Sequence, residues 1–204
     1  MADRAHWEDV YTRKAADEVS WFQPEATRSR ELIKACAPDR GAAIVDVGGG
    51  ASVLVDDLLE DGYVHLSVLD LSGSALAAAR QRLGARAGQV AWLEGDVLEY
   101  PFAENAFDVW HDRAVFHFLT DAADRRRYAE QLQRALCPGG HLVIATFAED
   151  GPSQCSGLDV QRHSEDSLQE ALGPAFELRD SRHETHRTPA GGEQAFLYCV
   201  FRQP

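Results

Sequence analysis

The sequence predicts a doubly wound α/β fold with a mostly parallel sheet that ends in an antiparallel hairpin. Short apolar runs that end in glycine or an acidic residue alternate with helical patterns over residues 43–172, as expected for strand–helix–strand units. The run at 141–147 is almost wholly apolar, which is typical of a parallel strand covered on both faces. Two long runs on either side of a turn at 188–192 predict the hairpin.

Residues that typically begin or end helices and strands set the bounds of each predicted element. Ser72 is a predicted helix N-cap, Gly84 a helix stop, and the Pro138-Gly139-Gly140 triplet ends a long helix. The predicted strands cover residues 43–47, 64–69, 89–93, 107–110, 141–147, 176–187 and 193–201. The predicted helices cover residues 51–60, 73–83, 121–136 and 164–172. Residues 1–40 form a separate helical N-terminal segment ahead of a main domain at 41–204.

The charge balance excludes several classes of partner. The 204 residues hold 20 Lys and Arg against 33 Asp and Glu, a net charge of −13, and that field repels nucleic acid backbones and anionic lipid surfaces. No apolar stretch approaches the ~18 residues of a membrane helix and the first residues are polar, so we expect a cytoplasmic protein. The four cysteines lie far apart without a CxxC pair, which favours free thiols.

The turn after the first strand carries most of the functional information. Gly48, Gly49 and Gly50 follow Asp46, and a strand that turns sharply into a helix leaves backbone N–H groups free to meet a ligand. The dinucleotide pattern GxGxxG fails here, because Val53 stands where its last glycine is required.

Acidic residues also end the next two strands. Asp70 follows Gly48 by 22 residues, a position from which a carboxylate accepts hydrogen bonds from both hydroxyls of a ribose, with Leu71 as its apolar neighbour. Asp96 can accept a bond from an exocyclic adenine amine while Val97 packs against the ring. The alternative is that these acids only cap the helices that follow. The three acids together with the glycine turn favour a nucleoside site.

This pattern resembles that of the class I S-adenosylmethionine-dependent methyltransferases over residues 40–204. The matching residues are Asp46, Gly48 and Gly50 of the first motif, Asp70 as the ribose acid, Gly95 and Asp96 after the third strand, and the turn Pro138-Gly139-Gly140. Ser52 stands where the family commonly has a third glycine. The resemblance implies a seven-stranded Rossmann-like fold and S-adenosylmethionine as the cofactor, with S-adenosylhomocysteine as its product. The charge of the predicted site agrees with this cofactor, because the acidic Asp46 suits the ammonium and sulfonium of the methyl donor.

The segment after the fourth strand supplies the candidate catalytic residues. It faces the methionine end of the cofactor in this superfamily, and Asp112-Arg113-Ala114 is similar to the Asp-Arg-Gly of the thiopurine and halide methyltransferase branch. We assign His111, Asp112 and His117 to the catalytic set, with the two histidines as candidate bases. The alternative for His117 is packing against the sheet. Arg113 pairs either with the cofactor carboxylate or with Asp112.

Aromatic residues of the N-terminal segment form a candidate lid. Trp7 and Tyr11 lie four residues apart on one helical face, and Trp21 precedes Pro24 in a predicted loop. We expect Tyr11 and Trp21 to lie near the methionine moiety of the cofactor. The alternative is that these rings only pack the segment onto the sheet.

Together these features predict methyl transfer to a small soluble acceptor by in-line displacement, without a metal ion, in a monomer or homodimer. Two alternatives stay open. One is a protein-lysine methyltransferase, whose basic substrate the acidic composition would attract. The other is a non-catalytic module that binds the cofactor.

Overall fold

Seven strands form the central sheet of the chain, whose computed structural model describes residues 4–15 and 17–204. They are β1 (Ala43–Val47), β2 (His65–Asp70), β3 (Val90–Glu94), β4 (Phe107–Arg113), β5 (Leu136–Phe147), β6 (Glu177–Arg187) and β7 (Glu193–Arg202). Their order is β3-β2-β1-β4-β5-β7-β6. Strands β1 to β5 run parallel, and β7 pairs antiparallel with both β5 and β6. The predicted doubly wound fold with its antiparallel hairpin is confirmed.

The helices cover both faces of this sheet. Within the described residues they are α1 (Arg4–Arg13), α2 (Thr27–Cys36), α3 (Leu54–Glu60), α4 (Gly73–Leu83), α5 (Ala122–Ala135) and α6 (Glu165–Leu172). Side chains alternate along a strand, so Ile44 joins the core under α2, α3 and α4, while Val45 joins the core under α5 and α6. The strand order reverses between β1 and β4, which opens a crevice at their carboxyl ends. None of the described helices has the length and apolar character needed to span a bilayer.

Several boundaries differ from the sequence prediction. Strand β4 continues beyond Trp110 to Arg113, because its last residues pair with both β1 and β5. Strand β5 begins at Leu136, so the proline–glycine triplet lies at a register shift within the strand rather than in a free turn. Helix α3 begins only at Leu54, whose N–H donates to Ser52 Oγ at the end of the glycine turn. The elements that were not predicted are a small hairpin, Gln154–Cys155 with Leu158–Asp159, and 3-10 turns at Gly84–Gln89 and Phe116–Phe118.

The predicted N-terminal segment consists of α1, a loop and α2, and its residues 1–3 and 16 lie outside the described residues. Main-chain atoms of the loop anchor it to the domain. The pairs are His186 Nε2 to Ser20 O at 2.8 Å, Arg113 Nη1 to Trp21 O at 3.0 Å, and Ala26 N to Asp57 Oδ2 at 3.0 Å. The loop therefore stays beside the carboxyl edge of the sheet.

Candidate functional site

The glycine turn between β1 and α3 lies at this carboxyl edge. The Gly48 N–H donates to Leu69 O at 2.7 Å, which ties the turn to β2. Gly48 has φ +68°, and a Cβ added there would lie 2.1 Å from Val115 Cγ2. A Cβ on Gly49 would lie 2.4 Å from Asp46 Oδ2. A side chain at either position would collide with these groups, so the turn requires glycine where it packs against Val115 and Asp46.

Two adjoining clefts open at this edge. The larger cleft, of about 700 Å³, is lined by the predicted residues Asp70, Leu71, Asp96 and Val97. The smaller cleft, of about 550 Å³, is lined by Asp46, Gly49 and His111. Four residues line both clefts and mark their junction: Tyr11, Trp21, Gly48 and Arg113. The structure thus brings most of the predicted site residues together, whereas Gly50, Asp112 and His117 line neither cleft.

Asp70 and Asp96 line the larger cleft from the ends of β2 and β3. Asp70 Oδ1 accepts from Ser72 N at 2.8 Å, and Asp96 Oδ1 accepts from Leu98 N at 2.9 Å, so each acid also closes the turn after its strand. Burial raises the pKa of Asp70 to about 7; the Ser72 N–H opposes this shift and the charge of Asp46 adds to it. Asp70 and Asp96 therefore both close the turns after their strands and line the larger cleft.

Asp46, His111 and Ser29 form a buried hydrogen-bonded chain beside the smaller cleft. His111 Nδ1 lies 2.6 Å from Asp46 Oδ1, and His111 Nε2 lies 2.8 Å from Ser29 Oγ. Strands β1 and β4 supply the acid and the imidazole from adjacent register positions, and α2 supplies the hydroxyl. Asp46 Oδ2 is buried, and none of the residues in 4–15 and 17–204 forms a hydrogen bond with it. Because both ring nitrogens of His111 are engaged, the expected role of this histidine as a free base does not fit its contacts.

Arg113 lies at the junction of the two clefts. Its Nε donates to Tyr198 Oη at 2.9 Å, its Nη1 donates to Trp21 O at 3.0 Å, and its Cζ lies 4.5 Å from the centroid of the Phe196 ring. Its Nη2 is buried and has no hydrogen-bond partner in the part of the chain that the structure describes. The pairing with Asp112 that the sequence left open does not occur, because adjacent residues of β4 point to opposite faces of the sheet.

Asp112 lies on the face of β4 turned away from the clefts and is fully buried. Its Oδ1 accepts from Val115 N at 2.9 Å and its Oδ2 accepts from Tyr128 Oη at 2.7 Å, while burial raises its pKa to about 6. These bonds hold the turn at Ala114, which has φ +71°. The structure therefore gives Asp112 a role in shaping this turn and does not support the predicted catalytic one. A positive φ at Ala114 is a left-handed conformation that glycine adopts more easily than alanine.

His117 is fully buried outside both clefts. Its ring contacts those of Phe118 and Phe147, at centroid distances of 4.5 and 4.7 Å, and neither ring nitrogen has a hydrogen-bond partner within the described residues. Burial lowers its pKa to about 3, so the imidazole is neutral. The packing alternative fits this histidine, and the predicted catalytic role does not.

Aromatic side chains of the N-terminal segment line the larger cleft. Trp7 makes edge-to-face contacts with Trp21 and Phe118, at centroid distances of 5.9 and 5.1 Å, and Tyr11 contacts Trp21 at 6.3 Å. Cys155 completes this wall, and burial raises the pKa of its thiol to about 11. Tyr11 and Trp21 thus line both clefts, and their position near the methionine moiety of the cofactor stays a prediction.

Sequence reasoning did not assign three of these residues to the site: Ser29, Phe118 and Cys155. Ser29 carries no local signal, since a serine in the first turn of a helix is commonplace. Phe118 belongs to the short 3-10 turn after β4, and Cys155 to the unpredicted hairpin. Only the loop position of Cys155 after β5 pointed towards the carboxyl edge of the sheet.

Comparison with known proteins supports one family. A family profile described as "Methyltransferase domain" matches residues 44–140. The ubiquinone/menaquinone biosynthesis C-methyltransferase UbiE of Roseobacter denitrificans is 34% identical over 116 residues, which cover 55% of this chain and 45% of the relative. The O-methyltransferase cnsE of Penicillium expansum is 28% identical over 150 residues, which cover 72% of this chain and 51% of the relative. The chain thus spans about half the length of the curated relatives it matches.

Solved structures of similar proteins share the fold. The N-methyltransferase NodS of Bradyrhizobium japonicum, in complex with S-adenosylhomocysteine, has a TM-score of 0.72 at 21% identity, over 97% of this chain and 98% of that one. The 1,6-didemethyltoxoflavin-N1-methyltransferase of Burkholderia thailandensis has a TM-score of 0.69 at 24% identity, over 98% of this chain and 83% of that one. At these identities the likeness concerns the arrangement of helices and strands.

Proposed function

We propose that the chain is a class I S-adenosylmethionine-dependent methyltransferase and that it transfers a methyl group from S-adenosylmethionine to a small soluble acceptor, a proposal supported by the methyltransferase profile, the curated relatives and the shared fold. One observation carries the proposal: Asp46 Oδ2 and Arg113 Nη2, of opposite charge, belong to residues that line the smaller cleft, and both are buried without a partner among the described residues. Buried charged groups are normally paired, because an unpaired one is costly to desolvate. This pair therefore fits a ligand that carries an ammonium and a carboxylate.

The remaining residues at the clefts fit the rest of such a ligand. S-adenosylmethionine supplies, when bound, an electrophilic methyl group on a sulfonium that joins an adenosine to a zwitterionic amino acid. Asp46 is suited to hold its ammonium and Arg113 its carboxylate, through charge-assisted hydrogen bonds. Asp70 is suited to the ribose hydroxyls and Asp96 to the adenine amine.

The aromatic wall of the larger cleft supports a small acceptor. In-line displacement requires an aligned nucleophile and the exclusion of water, and the rings of Trp7, Trp21 and Phe118 provide a dry surface at this end. Helix α1 closes the cleft with Trp7 and Tyr11, which favours a small molecule over the lysine of a protein substrate. The four free thiols are in keeping with the cytoplasm as the place of action.

Calorimetry with S-adenosylhomocysteine tests the cofactor assignment without knowledge of the acceptor. We expect micromolar binding that is abolished in Asp70→Ala and retained in Asp159→Ala, a control that removes an exposed acid outside both clefts. A failure of the wild-type protein to bind, or preferential binding of a nicotinamide dinucleotide, would refute the proposal.

A single-turnover experiment then tests the activity. Methyl-labelled donor is incubated with the protein and either a pool of small metabolites or a protein extract. Label is expected in the metabolite fraction. Label in the protein fraction alone would favour a protein methyltransferase, and binding of the donor without any transfer would favour a non-catalytic module.

A further inference from the structure

The hydrogen-bonded chain of Ser29, His111 and Asp46 crosses from the N-terminal segment to the first strand of the sheet. An ionised carboxylate only accepts hydrogen bonds, so the 2.6 Å contact requires His111 Nδ1 to carry a proton and donate it to Asp46 Oδ1. Ser29 Oγ, 2.8 Å away, engages the other nitrogen. The imidazole is therefore fixed at both ends, and so is the tautomer it presents to the acid.

This arrangement also fixes the carboxylate. His111 is 3% exposed and Ser29 1% exposed, so water does not compete with their bonds. With Oδ1 committed to His111, only Oδ2 of Asp46 lacks a hydrogen-bond partner among the described residues, and it lies against Gly49, where an added Cβ would be 2.4 Å from it. A carboxylate held in one orientation binds a cation without the entropy cost of ordering it first.

We propose that His111 and Ser29 are positioning residues that make the site selective for adenosyl compounds carrying an α-ammonium group. The inference rests on the proposed function, because it assigns Asp46 Oδ2 to the amino acid end of the methyl donor. It replaces the expected role of His111 as a base with one that acts through Asp46. It also gives α2, which supplies Ser29, a part in ligand selection.

Two ligands that differ only in the amino acid end test this inference. S-adenosylhomocysteine carries the ammonium and carboxylate, and 5′-methylthioadenosine keeps the adenosine and the sulfur but lacks both charged groups. Their dissociation constants are measured by calorimetry for the wild type, Ser29→Ala and His111→Leu. Ser167→Ala serves as the matched control, because it removes a comparable contact, Ser167 Oγ to His163 Nδ1 at 3.0 Å, outside both clefts.

The expected result is a split between the two ligands. Ser29→Ala should weaken binding of S-adenosylhomocysteine about fivefold and His111→Leu about tenfold or more, as expected for the loss of one or two buried hydrogen bonds. Binding of 5′-methylthioadenosine should stay within about twofold of the wild type in both variants. The control should leave both ligands unaffected.

Other outcomes overturn specific claims. Equal weakening of the binding of both ligands would mean that the hydrogen bonds among Ser29, His111 and Asp46 only support the fold. Unchanged binding of S-adenosylhomocysteine would mean that these bonds do not orient Asp46. If His111→Leu fails to fold, the milder Ser29→Ala decides between these outcomes. Failure of the wild type to bind either ligand would instead refute the proposed function itself.

Discussion

Replacement of Asp70 by asparagine should stabilise the ligand-free protein above pH 7. Burial raises the pKa of this acid from its ordinary value of 3.8 to about 7. The folded state therefore favours the protonated acid, whose contribution to stability is complete below about pH 4 and is lost as the pH rises through about 7. At about 1.4 kcal/mol for each pKa unit, ionisation of the buried acid costs the folded state ~4 kcal/mol.

Asparagine removes this cost, but it keeps only one of the two carboxylate oxygens. The carbonyl oxygen can still accept from Ser72 N, whereas a bond from the Gly50 N–H is lost at a cost of about 1–2 kcal/mol. A net gain of ~2–3 kcal/mol remains, which is roughly 5 to 10 °C in Tm for a chain of this size. The same change should abolish binding of S-adenosylhomocysteine, because the ribose hydroxyls lose their charged acceptor.

Thermal unfolding of the wild type and Asp70→Asn between pH 5 and pH 8.5 checks the reasoning. The difference in Tm should be small at pH 5 and should widen through pH 7. A constant difference across the pH range, or an Asp70→Asn protein less stable than the wild type at pH 8, would refute the assignment of a destabilising buried charge.

Four further changes have expected outcomes. Trp21→Ala removes two edge-to-face contacts and should weaken S-adenosylhomocysteine binding at least tenfold, while the free energy of unfolding of the ligand-free protein falls by only ~1–2 kcal/mol. Equal losses of binding free energy, measured by calorimetry, and of unfolding free energy would indicate simple packing. Arg113→Met should weaken the binding of S-adenosylhomocysteine but not that of 5′-methylthioadenosine. Equal weakening of both would argue against a contact between Arg113 and the ligand carboxylate. His117→Phe should raise the unfolding free energy by ~1–3 kcal/mol with methyl transfer intact, whereas lost transfer with normal binding would restore its catalytic role. Ala114→Gly should raise the free energy of unfolding, measured with denaturant, by ~0.5–1 kcal/mol. A lower free energy of unfolding would show that packing of the alanine methyl group stabilises the fold.

Much of the fold could be predicted from the sequence because it depends on local periodicity. Apolar runs located six of the seven strands, the turn at 188–192 located the polar β6 beside β7, and Ser72 and Gly84 bounded α4 as predicted. The errors arose where pairing between strands overrides local pattern. Strand β4 was cut short at Trp110 because the polar His111 and Asp112 resemble a loop, yet each is buried on one face of a central strand.

The candidate site, like the fold, could be predicted from the sequence only in part. The glycine turn and the acids at the strand ends follow from spacing along the chain, and the clefts assemble around most of them. The roles of His111 and Asp112 could not be predicted, because they depend on which face of β4 each side chain takes and on partners far away in sequence. Ser29 and Tyr128 are such partners, and neither carries a local signal.

The loop between α1 and α2 is held to the domain through the carbonyl oxygens of Ser20 and Trp21 and the N–H of Ala26. Every amino acid except proline offers the same main-chain groups, so these anchors place few demands on the identity of the residues that bear them. Side chains of this loop that lie outside the core can therefore be exchanged without undocking it. Because Trp21 lines both clefts, an exchange there would reshape the clefts while leaving the glycine turn and the strand-end acids of the sheet in place, a route by which one scaffold can acquire new ligands.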